Sequence, residues 1–480
     1  MRIAIVGAGA SGIAAGVNLR KAGYRDFAIF EKAADIGGTW RDNTYPGVAC
    51  DVPSHLYRFS FAPKADWSRE YASGEEICRY LRQVAEDFGV MPHVRLGAEL
   101  KSATFENGGW NLVSGDGPEG RFDAVISAMG VLHKEIYPDI PGRAGFEGVS
   151  FHSSKWRHTV SLAQKRVGIV GSGSTAVQIL PSIVDEVAHV DLFMRTPQWI
   201  FPVDNNPISA ARQASFAARP ERLQEIYELL GDRLNRRLAA ALVGQNQEGL
   251  GEISQACLRN LEENVHDCSL REKLRPDYAV GCKRLVVSSA FYPAIQKENA
   301  ELVTGRISEI VPQGVLTADG KLHPLDVIVY ATGFDPFNFH RPMKITGRDG
   351  LDLDDVWSGS ARALRSIMAP GFPNLFFIGG PNSPIGNFSF LLTAETQIGY
   401  IMRLLDRIGG GASRCIEPRI DATEDFNRRI EAAMHDTIWV KGGCASWYFD
   451  RSGKVASWPW TYERFEAELR EPDPAEYAFS

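Results

Sequence analysis

Two glycine-rich segments have the residue types and spacing that bind the pyrophosphate of a dinucleotide. Each segment follows a short apolar run and opens a helical pattern, and the two begin at Gly7 and Gly171. Glycine permits a tight turn and a close approach of backbone to phosphate, and the following helix presents free N–H groups and a positive dipole end. The chain is therefore expected to bind two dinucleotides.

The first segment has the full G-x-G-x-x-G pattern, at Gly7, Gly9 and Gly12. Glu31 ends the next apolar run, 19 residues after Gly12. A carboxylate at this place accepts hydrogen bonds from ribose hydroxyls and repels a 2′-phosphate, which indicates FAD or NAD. The alternative is a turn followed by a surface glutamate, and the strand–turn–helix context favours the binding site over it.

The second segment has the G-x-G-x-x-A form, with Ala176 in the third place, and an arginine ends its next apolar run. A guanidinium there pairs with a 2′-phosphate and favours NADP over NAD. A surface arginine at a strand end is the alternative. The residues predicted to bind NADP are Gly171, Gly173, Ser174, Thr175, Arg195 and Thr196.

These segments are the cores of two βαβ units, with helices expected over 12–21 and 174–187. One carboxylate site and one arginine site suggest that NADPH passes electrons to a flavin. Apolar residues at helical spacing between 207 and 277 predict a helical insertion. The predicted fold class is α/β, with two Rossmann-like domains and this insertion. The FAD-binding domain is expected over 1–140 and 331–480, the NADP-binding domain over 141–200 and 282–330, and the insertion over 201–281.

Composition excludes several classes of protein. The net charge of −7 over 480 residues gives no electrostatic footprint for nucleic acid. No signal peptide and no long uncharged apolar run are recognised, so the expected location is the cytoplasm, without a membrane partner. No obligate protein partner is evident either.

The reactive side chains exclude three further kinds of site. The 7 cysteines are scattered, without a C-x-x-C pair, which argues against a disulfide framework and against a dithiol redox centre. The 10 histidines lack paired ligand spacings, so no metal site is predicted. No G-x-S-x-G elbow follows a strand, which argues against a hydrolase.

Two longer patterns resemble the Baeyer–Villiger monooxygenases, the family of class B flavoprotein monooxygenases that oxygenate ketones. The first is the fingerprint F-x-G-x-x-x-H-x-x-x-W-(P/D), present here as Phe146, Gly148, His152 and Trp156. Arg157 stands in its last place, which weakens the match there. The second pattern, G-G-x-W-x-x-x-x-(F/Y)-P-G-x-x-x-D, is complete. Its residues are Gly37, Gly38, Trp40, Tyr45, Pro46, Gly47 and Asp51. Further matches lie at 281–284, 331–335 and 380–383.

The resemblance implies an activity and a role for several residues. NADPH would reduce FAD, the reduced flavin would trap O2 as a C4a-peroxide, and a ketone would become an ester or lactone. Arg284 would stabilise the anionic peroxide and the adduct, Asp51 would hold Arg284, and Lys283 would help Arg195 to bind the 2′-phosphate. His152 and the rest of the fingerprint would link the domains, with His152 structural rather than an acid or base.

Several aromatic residues are expected around the flavin or the substrate. Gly38, Trp40, Tyr45, Asp51 and Tyr57 are predicted to contact FAD, and Phe388 and Phe390 to line the substrate pocket. The aromatic tail is more consistent with ordinary core than with a substrate tunnel. Its residues are Trp447, Tyr448, Trp458 and Trp460.

Two other functions compete with ketone oxygenation. A flavin monooxygenase that oxidises amine nitrogen or sulfide sulfur shares both glycine motifs, but usually has Tyr or Phe where this chain has Trp156. A flavin-binding sensor without turnover is the second alternative, and two intact nucleotide sites argue against it. The sequence names neither the ketone nor the oligomeric state.

Overall fold

A computed structural model describes residues 1–409 and 414–480 of the chain. The strands are β1 Ile3–Val6, β2 Phe27–Phe30, β3 Val94–Arg95, β4 Leu100–Glu106, β5 Gly109–Ser114, β6 Gly117–Phe122, β7 Ala124–Ser127, β8 Val149–His152, β9 Arg166–Val170, β10 His189–Phe193, β11 Ile200–Phe201, β12 Val286–Val287, β13 Ala300–Val303, β14 Ile307–Val311, β15 Gly314–Thr317, β16 Leu322–Pro324, β17 Val327–Tyr330, β18 Lys344–Thr346, β19 Leu375–Phe377, β20 Ile416–Pro418 and β21 Tyr477–Phe479.

The helices lie between and around these strands. The α-helices are α1 Ala10–Lys21, α2 Thr39–Asp42, α3 Gly74–Asp87, α4 Ser174–Ile183, α5 Ala210–Ala218, α6 Pro220–Gly231, α7 Ala239–Leu242, α8 Gln247–Asn264, α9 Cys268–Leu274, α10 Phe291–Ile295, α11 Leu353–Val356, α12 Phe390–Gly409, α13 Ile420–Met434, α14 Ile438–Lys441 and α15 Tyr462–Glu468. A π-helix spans Asp232–Leu238, and short 3₁₀-helices span Met91–His93, Arg143–Gly145, Ser153–Lys155, Arg348–Gly350 and Pro474–Glu476.

The first large sheet is parallel and buried on both faces, with strand order β19-β7-β1-β2-β3. Successive side chains of a strand point to opposite faces. Accordingly, Ile3 and Ile5 pack in one core cluster while Ala4 and Val6 pack in another. Helices α1 and α12 pack together against the sheet. Because β19 comes late in the chain, this sheet is built from two distant parts of the sequence.

The second large sheet has the order β13-β10-β9-β17-β8 and is also parallel. Val327 and Val329 face the core that contains α4 and α10, while Ile328 and Tyr330 face the antiparallel sheet of β14, β15 and β16. The predicted α/β class with two dinucleotide-type sheets is confirmed. Helix α4 ends at Ile183, earlier than the predicted end at 187, and α1 begins at Ala10 rather than 12.

The stretch predicted as a helical insertion contains α5 to α9. Its middle differs from the expected regular amphipathic helix, because Asp232–Leu238 is wound as a π-helix. There the Asn235 side chain, 2% exposed, accepts a hydrogen bond from the backbone N–H of Ser389. Strands β11 and β12 pair in parallel at the two ends of the insertion and form a separate two-stranded sheet.

One expectation about cysteine is wrong. Cys282 and Cys444 form a disulfide bond across 162 residues, with their Cα atoms 6.2 Å apart. The scattered spacing gave no sign of it, because tertiary folding alone brings the segment after the insertion against the C-terminal tail. Cys50, Cys78, Cys257, Cys268 and Cys415 remain free.

Within the described ranges, none of the helices combines the length and the apolar composition needed to cross a bilayer.

Candidate active site

A deep cleft of about 1330 Å³ separates the two parallel sheets, and both glycine segments line it. The cleft lies beyond the carboxyl ends of β1 and β9, where parallel α/β sheets bind ligands. Its volume exceeds the few hundred to about 1000 Å³ typical of a single small-molecule site. The cleft is therefore large enough for extended cofactors.

The first glycine segment is a cradle that larger side chains would fill. A Cβ on Gly12 would overlap the carbonyl oxygen of Gly7, and Gly7 itself has φ +103°. At Gly9 the space toward the cleft is open, with Gly38 Cα 3.6 Å from the position of an added Cβ. Backbone N–H groups at the start of α1 can therefore approach a pyrophosphate directly.

Glu31 lies at the carboxyl end of β2 with its side chain buried and held from several directions. Its carboxylate accepts hydrogen bonds from the backbone N–H groups of Ala8, at 2.9 Å, and Ala33, at 3.0 Å. Arg41 Nη1 lies 3.1 Å from Glu31 Oε1. Glu31 also lines the cleft, so its remaining lone pairs can accept ribose hydroxyls. These residues fit the ribose and pyrophosphate of FAD.

The second glycine segment forms a similar tight turn and differs from the first segment at its third position. Gly171 has φ +141°, and a Cβ there would overlap the carbonyl oxygen of Ala331. Gly173 faces open space. Ala176 takes the place of the third glycine. It is fully buried against the sheet, where the packing leaves room for its Cβ. Ser174 and Thr175 line the cleft where α4 begins.

Two cations face each other at the far end of this segment. Arg195, Thr196 and Lys283 line the cleft, and neither cation has a carboxylate within ion-pair distance among the residues the structure describes. Burial lowers the pKa of Lys283, and the nearby charge of Arg195 lowers this pKa further. Two mutually repelling cations in a cleft wall form a site for a polyanion, and the 2′-phosphate of NADP fits it.

Arg284 and Asp51 form a bidentate pair although 233 residues separate them. Arg284 donates from Nε to Asp51 Oδ2 at 2.6 Å and from Nη2 to Asp51 Oδ1 at 2.8 Å. Burial alone would raise the pKa of Asp51, but the charge and hydrogen bonds of Arg284 outweigh it and hold that pKa below its usual value. Burial opposes the charge on Arg284 as well, and Asp51 raises its pKa. The pair is thus ionised, with a third of the Arg284 side chain (33%) still exposed toward the cleft.

The aromatic residues expected around FAD divide into two groups. Trp40 donates its indole N–H to the hydroxyl of Tyr57 at 3.1 Å, and both rings line the cleft. Tyr45 also lines the cleft, but it lies at the contact with α4, where its hydroxyl donates to Gln178 at 2.9 Å. Gly47 is needed for the same contact, because a Cβ there would overlap Ser182 of α4.

The fingerprint residues lie on and beside strand β8 of the second large sheet. His152 is fully buried; its Nδ1 accepts from the backbone N–H of Ser154, and its Nε2 donates to the carbonyl of Gly333 at 3.1 Å. Burial lowers the pKa of His152, which keeps the ring neutral at pH 7. Phe146 packs against the core of the three-stranded sheet, and Trp156 packs edge-on to Phe151. A Cβ on Gly148 would overlap the carbonyl oxygen of Asp326.

The candidate pocket residues lie at the mouth of the cleft. Phe390 lines the cleft at the start of α12. Phe388 also lines it but is 4% exposed, with its ring edge-on to Tyr462 and Phe465 in the core. In the aromatic tail, Trp458 is fully buried in core, while Trp447 reaches the cleft wall.

Sequence reasoning missed two residues near the site. Tyr448 was assigned to core, and its ring is indeed buried, but its hydroxyl lies against Arg284. Arg306 lines the cleft just beyond β13, on the side of Arg195. A lone arginine after an ordinary strand carries no motif, and a tyrosine in an aromatic tail carries no sign of its hydroxyl contact.

One cluster of metal-ligand residue types lies away from the cleft. Atoms of His189, Asp191 and Glu301 lie within 4.8 Å of one another, because Asp191 and Glu301 are register partners on β10 and β13. Each carboxylate already has a partner: His323 approaches Asp191 at 3.2 Å, and Lys321 pairs with Glu301. The cluster is accounted for as a polar network on the face of the second sheet.

Comparison with known proteins gives the same assignment as the geometry. A model of the family described as pyridine nucleotide-disulphide oxidoreductase matches residues 4–218, which include both glycine segments but neither Cys282 nor Cys444. A Baeyer–Villiger monooxygenase of Streptomyces coelicolor is 40% identical over 483 residues, covering 99% of this chain and 92% of that protein.

Solved structures resemble the whole chain. OTEMO in complex with FAD and NADP superposes with a TM-score of 0.90 at 25% identity, covering 100% of this chain and 99% of that one. Cyclohexanone-bound cyclohexanone monooxygenase superposes with a TM-score of 0.87 at 28% identity, with the same coverage. The predicted enzyme class, an FAD- and NADPH-dependent monooxygenase, is confirmed at the level of the family. The chain belongs to the Baeyer–Villiger monooxygenase family.

Proposed function

We propose that the chain uses NADPH, FAD and O2 to insert one oxygen atom beside the carbonyl of a small apolar ketone, giving an ester or lactone. The observation that carries this proposal is the Asp51–Arg284 pair in the wall of the cleft between the two dinucleotide sites. Ketone oxygenation needs a nucleophilic oxygen, so negative charge has to be stabilised where the reaction occurs. A fixed cation in a partly dry cleft does this without reorganisation.

The residues of the first site would bind FAD, and those of the second site would bind NADPH. Gly7, Gly9 and Glu31 would hold the FAD pyrophosphate and ribose, and Arg195 and Lys283 would bind the 2′-phosphate of NADPH. The make-up of the two sheets supports an FAD domain over 1–140 and 331–480 and an NADP domain over 141–200 and 282–330. The reaction would take place in the cleft between these domains.

Arg284 would act on the reacting atoms, and Asp51 would act through Arg284. When bound and reduced, FAD supplies the two electrons that activate O2 and hence the oxygen that attacks the ketone carbonyl. Asp51 occupies Nε and Nη2 of Arg284 and so fixes the plane of the guanidinium. Nη1 is left for the anionic oxygen, at which negative charge persists because the arginine stays protonated.

A second cavity, of about 80 Å³, adjoins Arg284 and supports an apolar substrate. Its walls are mainly aliphatic side chains of the insertion, with Phe388 opposite. These aliphatic residues include Leu234 and Leu238 of the π-helix and Leu242, Leu250 and Ile253 beyond it. A ketone would place its carbonyl toward Arg284 and its hydrocarbon part in this cavity, and the structurally similar cyclohexanone monooxygenase has been crystallised with cyclohexanone bound.

The test is product analysis under ¹⁸O2. The FAD-loaded protein is supplied with NADPH and a panel of cyclic, linear and aryl ketones, and products are identified by gas chromatography and mass spectrometry. We expect an ester or lactone that contains one ¹⁸O atom. Oxidation of an amine or sulfide panel without conversion of any ketone would instead support the nitrogen- and sulfur-oxidising alternative.

Arg284→Ala gives the matched control for the role of the guanidinium. Loss of one stabilising cation or donor typically lowers kcat by about 10² to 10³-fold. We expect the variant to bind FAD and to be reduced by NADPH at a normal rate, yet to yield little ester. A normal ester yield from this variant would remove Arg284 from the mechanism.

A further inference from the structure

The Cys282–Cys444 disulfide joins two segments that both line the cleft. Cys282 directly precedes Lys283 and Arg284, and Cys444 directly precedes a tail segment that runs through Trp447. Cys282 is fully buried, whereas Cys444 is partly exposed. The crosslink therefore connects the segment that carries Arg284 to a part of the tail that also lines the cleft.

The tail segment contributes a hydroxyl group to Arg284. Tyr448 is 2% exposed, its ring is stacked on Trp447 at 4.3 Å, and its hydroxyl lies beside the Arg284 guanidinium. A Cβ on Gly386 would overlap this hydroxyl and lie 3.2 Å from Arg284 Nη1, so the two groups meet at Gly386. Asp51 already occupies the other edge of the guanidinium, so Tyr448 lies at the edge that remains for the substrate.

The chemistry of the two groups leaves Tyr448 with a proton to donate. Arginine can only donate, so the Tyr448 oxygen can act toward the guanidinium only as an acceptor, and its O–H is available to another acceptor. Burial raises the pKa of Tyr448 to about 12, although the charge of Arg284 lowers it, so the hydroxyl is neutral at working pH. Tyr448 thus packs beside Nη1 and presents an O–H group there.

The two segments joined by the crosslink lie outside regular secondary structure and pack against each other. Gly281 and Gly443 have positive φ values of +83° and +72°. Residues 442–446 belong to no helix or strand. A backbone hydrogen bond of 2.9 Å joins the N–H of Ala279 to the carbonyl of Gly442. The disulfide is the covalent link between the two segments, so its removal leaves their relative position to these weaker contacts.

We propose that the Cys282–Cys444 disulfide and Tyr448 are positioning elements for oxygen insertion, which hold Nη1 of Arg284 in place and so determine how much of the NADPH consumed ends in ester. The proposal rests on the role proposed above for Arg284. Opening the crosslink leaves the glycine cradles and Arg195 in place, because their contacts lie elsewhere, while Lys283 stands on the released segment next to Cys282. Reduction of the flavin continues, while the activated oxygen is lost increasingly as H2O2.

Reduction of the crosslink is a two-electron thiol–disulfide exchange. A dithiol such as dithiothreitol breaks the S–S bond and supplies two electrons and two protons, the cysteines become two thiols, and the reagent becomes a cyclic disulfide. The chain has 7 cysteines, of which the five named above are free in the crosslinked form. Thiol titration of the denatured protein therefore distinguishes a five-thiol form from a seven-thiol form.

The experiment compares these two forms of the FAD-loaded full-length protein. NADPH consumption, H2O2 and ester are measured together with a ketone that the five-thiol form converts. We expect the seven-thiol form to keep its NADPH consumption at saturating NADPH within about twofold, while ester per NADPH falls about tenfold and H2O2 rises to match, as expected for loss of about 1.4 kcal/mol of positioning. Reoxidation should restore the yield.

Variants separate positioning from general stability. Cys444→Ser should behave like the seven-thiol form and no longer respond to dithiol, while Tyr448→Phe should keep the crosslink yet show the same loss of ester per NADPH. Cys268→Ser, at an exposed free cysteine, is the matched control and should behave like the parent protein. Equal ester yield in the five- and seven-thiol forms, or seven thiols even after treatment with an oxidant, would overturn the proposal.

Hydrogen exchange tests the inference independently of ketone oxygenation. Peptides that cover 279–286 and 442–449 should exchange faster in the seven-thiol form, while peptides that cover β1 and α1 should not change. If no ketone is converted by either form, the proposed function fails, and exchange still decides whether the crosslink restrains Arg284. Unchanged exchange in both peptides would overturn the positioning role.

Discussion

The two glycine segments form similar tight turns, but the charged residues beside them differ in the partners that they have within the protein. At the first site, the carboxylate of Glu31 is already bonded to two backbone N–H groups and to Arg41. At the second site, Arg195 and Lys283 repel each other and have no carboxylate in ion-pair contact within the described ranges. The first site is complete before its ligand arrives, whereas the second needs an anion to complete it.

This difference matches what each cofactor has to do. A preformed site with little cost of reorganisation suits a cofactor that stays bound through the cycle, the part we propose for FAD. The nicotinamide cofactor has to be recognised by its 2′-phosphate and exchanged, so a site that is stabilised by the bound anion suits NADPH. Four predictions test this comparison, in order of decreasing expected effect.

Gly12→Ala should nearly abolish FAD binding. The added Cβ would overlap the carbonyl oxygen of Gly7, a backbone atom that cannot move without opening the turn. We expect a loss of about 3 kcal/mol or more, read as loss of flavin absorbance from the purified protein and as a lower urea midpoint. The matched change at the second site, Ala176→Gly, should cost only about 1 kcal/mol and leave NADPH binding intact. Similar losses from both changes would mean that the two turns are not built differently at this position.

Arg195→Ala should weaken NADPH binding by about 10- to 100-fold and leave NADH binding nearly unchanged, because only NADPH has the 2′-phosphate that we propose this arginine binds. Dissociation constants from fluorescence titration of the FAD-loaded enzyme provide the measurement. Arg166→Ala is the control, at the opposite, amino end of β9, and should affect neither cofactor. An equal loss for NADPH and NADH would show that Arg195 does not recognise the phosphate.

Glu31→Gln should weaken FAD binding by about tenfold, less than the change at Gly12. The amide keeps the shape but loses the charge beside Arg41 and one acceptor for the N–H groups of Ala8 and Ala33. Equilibrium dialysis of FAD measures the effect. Glu99→Gln is the control, because Glu99 lines the same cleft but pairs with Lys101. If the two variants bind FAD equally well, the carboxylate of Glu31 is not part of the site.

The pH dependence of NADPH binding should show a few-fold effect that belongs to the second site alone. Burial and the charge of Arg195 lower the pKa of Lys283 below the ordinary lysine value of 10.5. Lys283 is charged below its pKa and loses its charge as the pH rises through it, so NADPH affinity should begin to fall below pH 10.5. In Arg195→Ala the pKa of Lys283 should rise, and the remaining affinity should then persist to higher pH. An identical pH profile in both proteins would contradict the coupling of the two cations.

Local sequence was sufficient to predict the features that depend on residues close together in the chain. The apolar runs before and after the two glycine segments are observed as strands β1, β2, β9 and β10, because short apolar runs that end in glycine or a charged residue leave few alternatives. The glycine positions, Glu31 and Arg195 followed from spacing alone, because a turn and the end of the next strand are close in sequence and in space. Asp51 and Arg284 could be named only through the family resemblance, since 233 residues separate them.

Contacts between distant segments were decided by tertiary structure. The Cys282–Cys444 bond, the hydroxyl of Tyr448 on Arg284 and the contact of Tyr45 with Gln178 join residues with no local signal of their pairing. The π-helix at Asp232–Leu238 also departs from the regular period that its leucines suggest. The sequence by itself thus determined the two cradles, the charges at their ends and the family. Only folding decided which side chains meet in the cleft between them, because packing of the two sheets sets those distances.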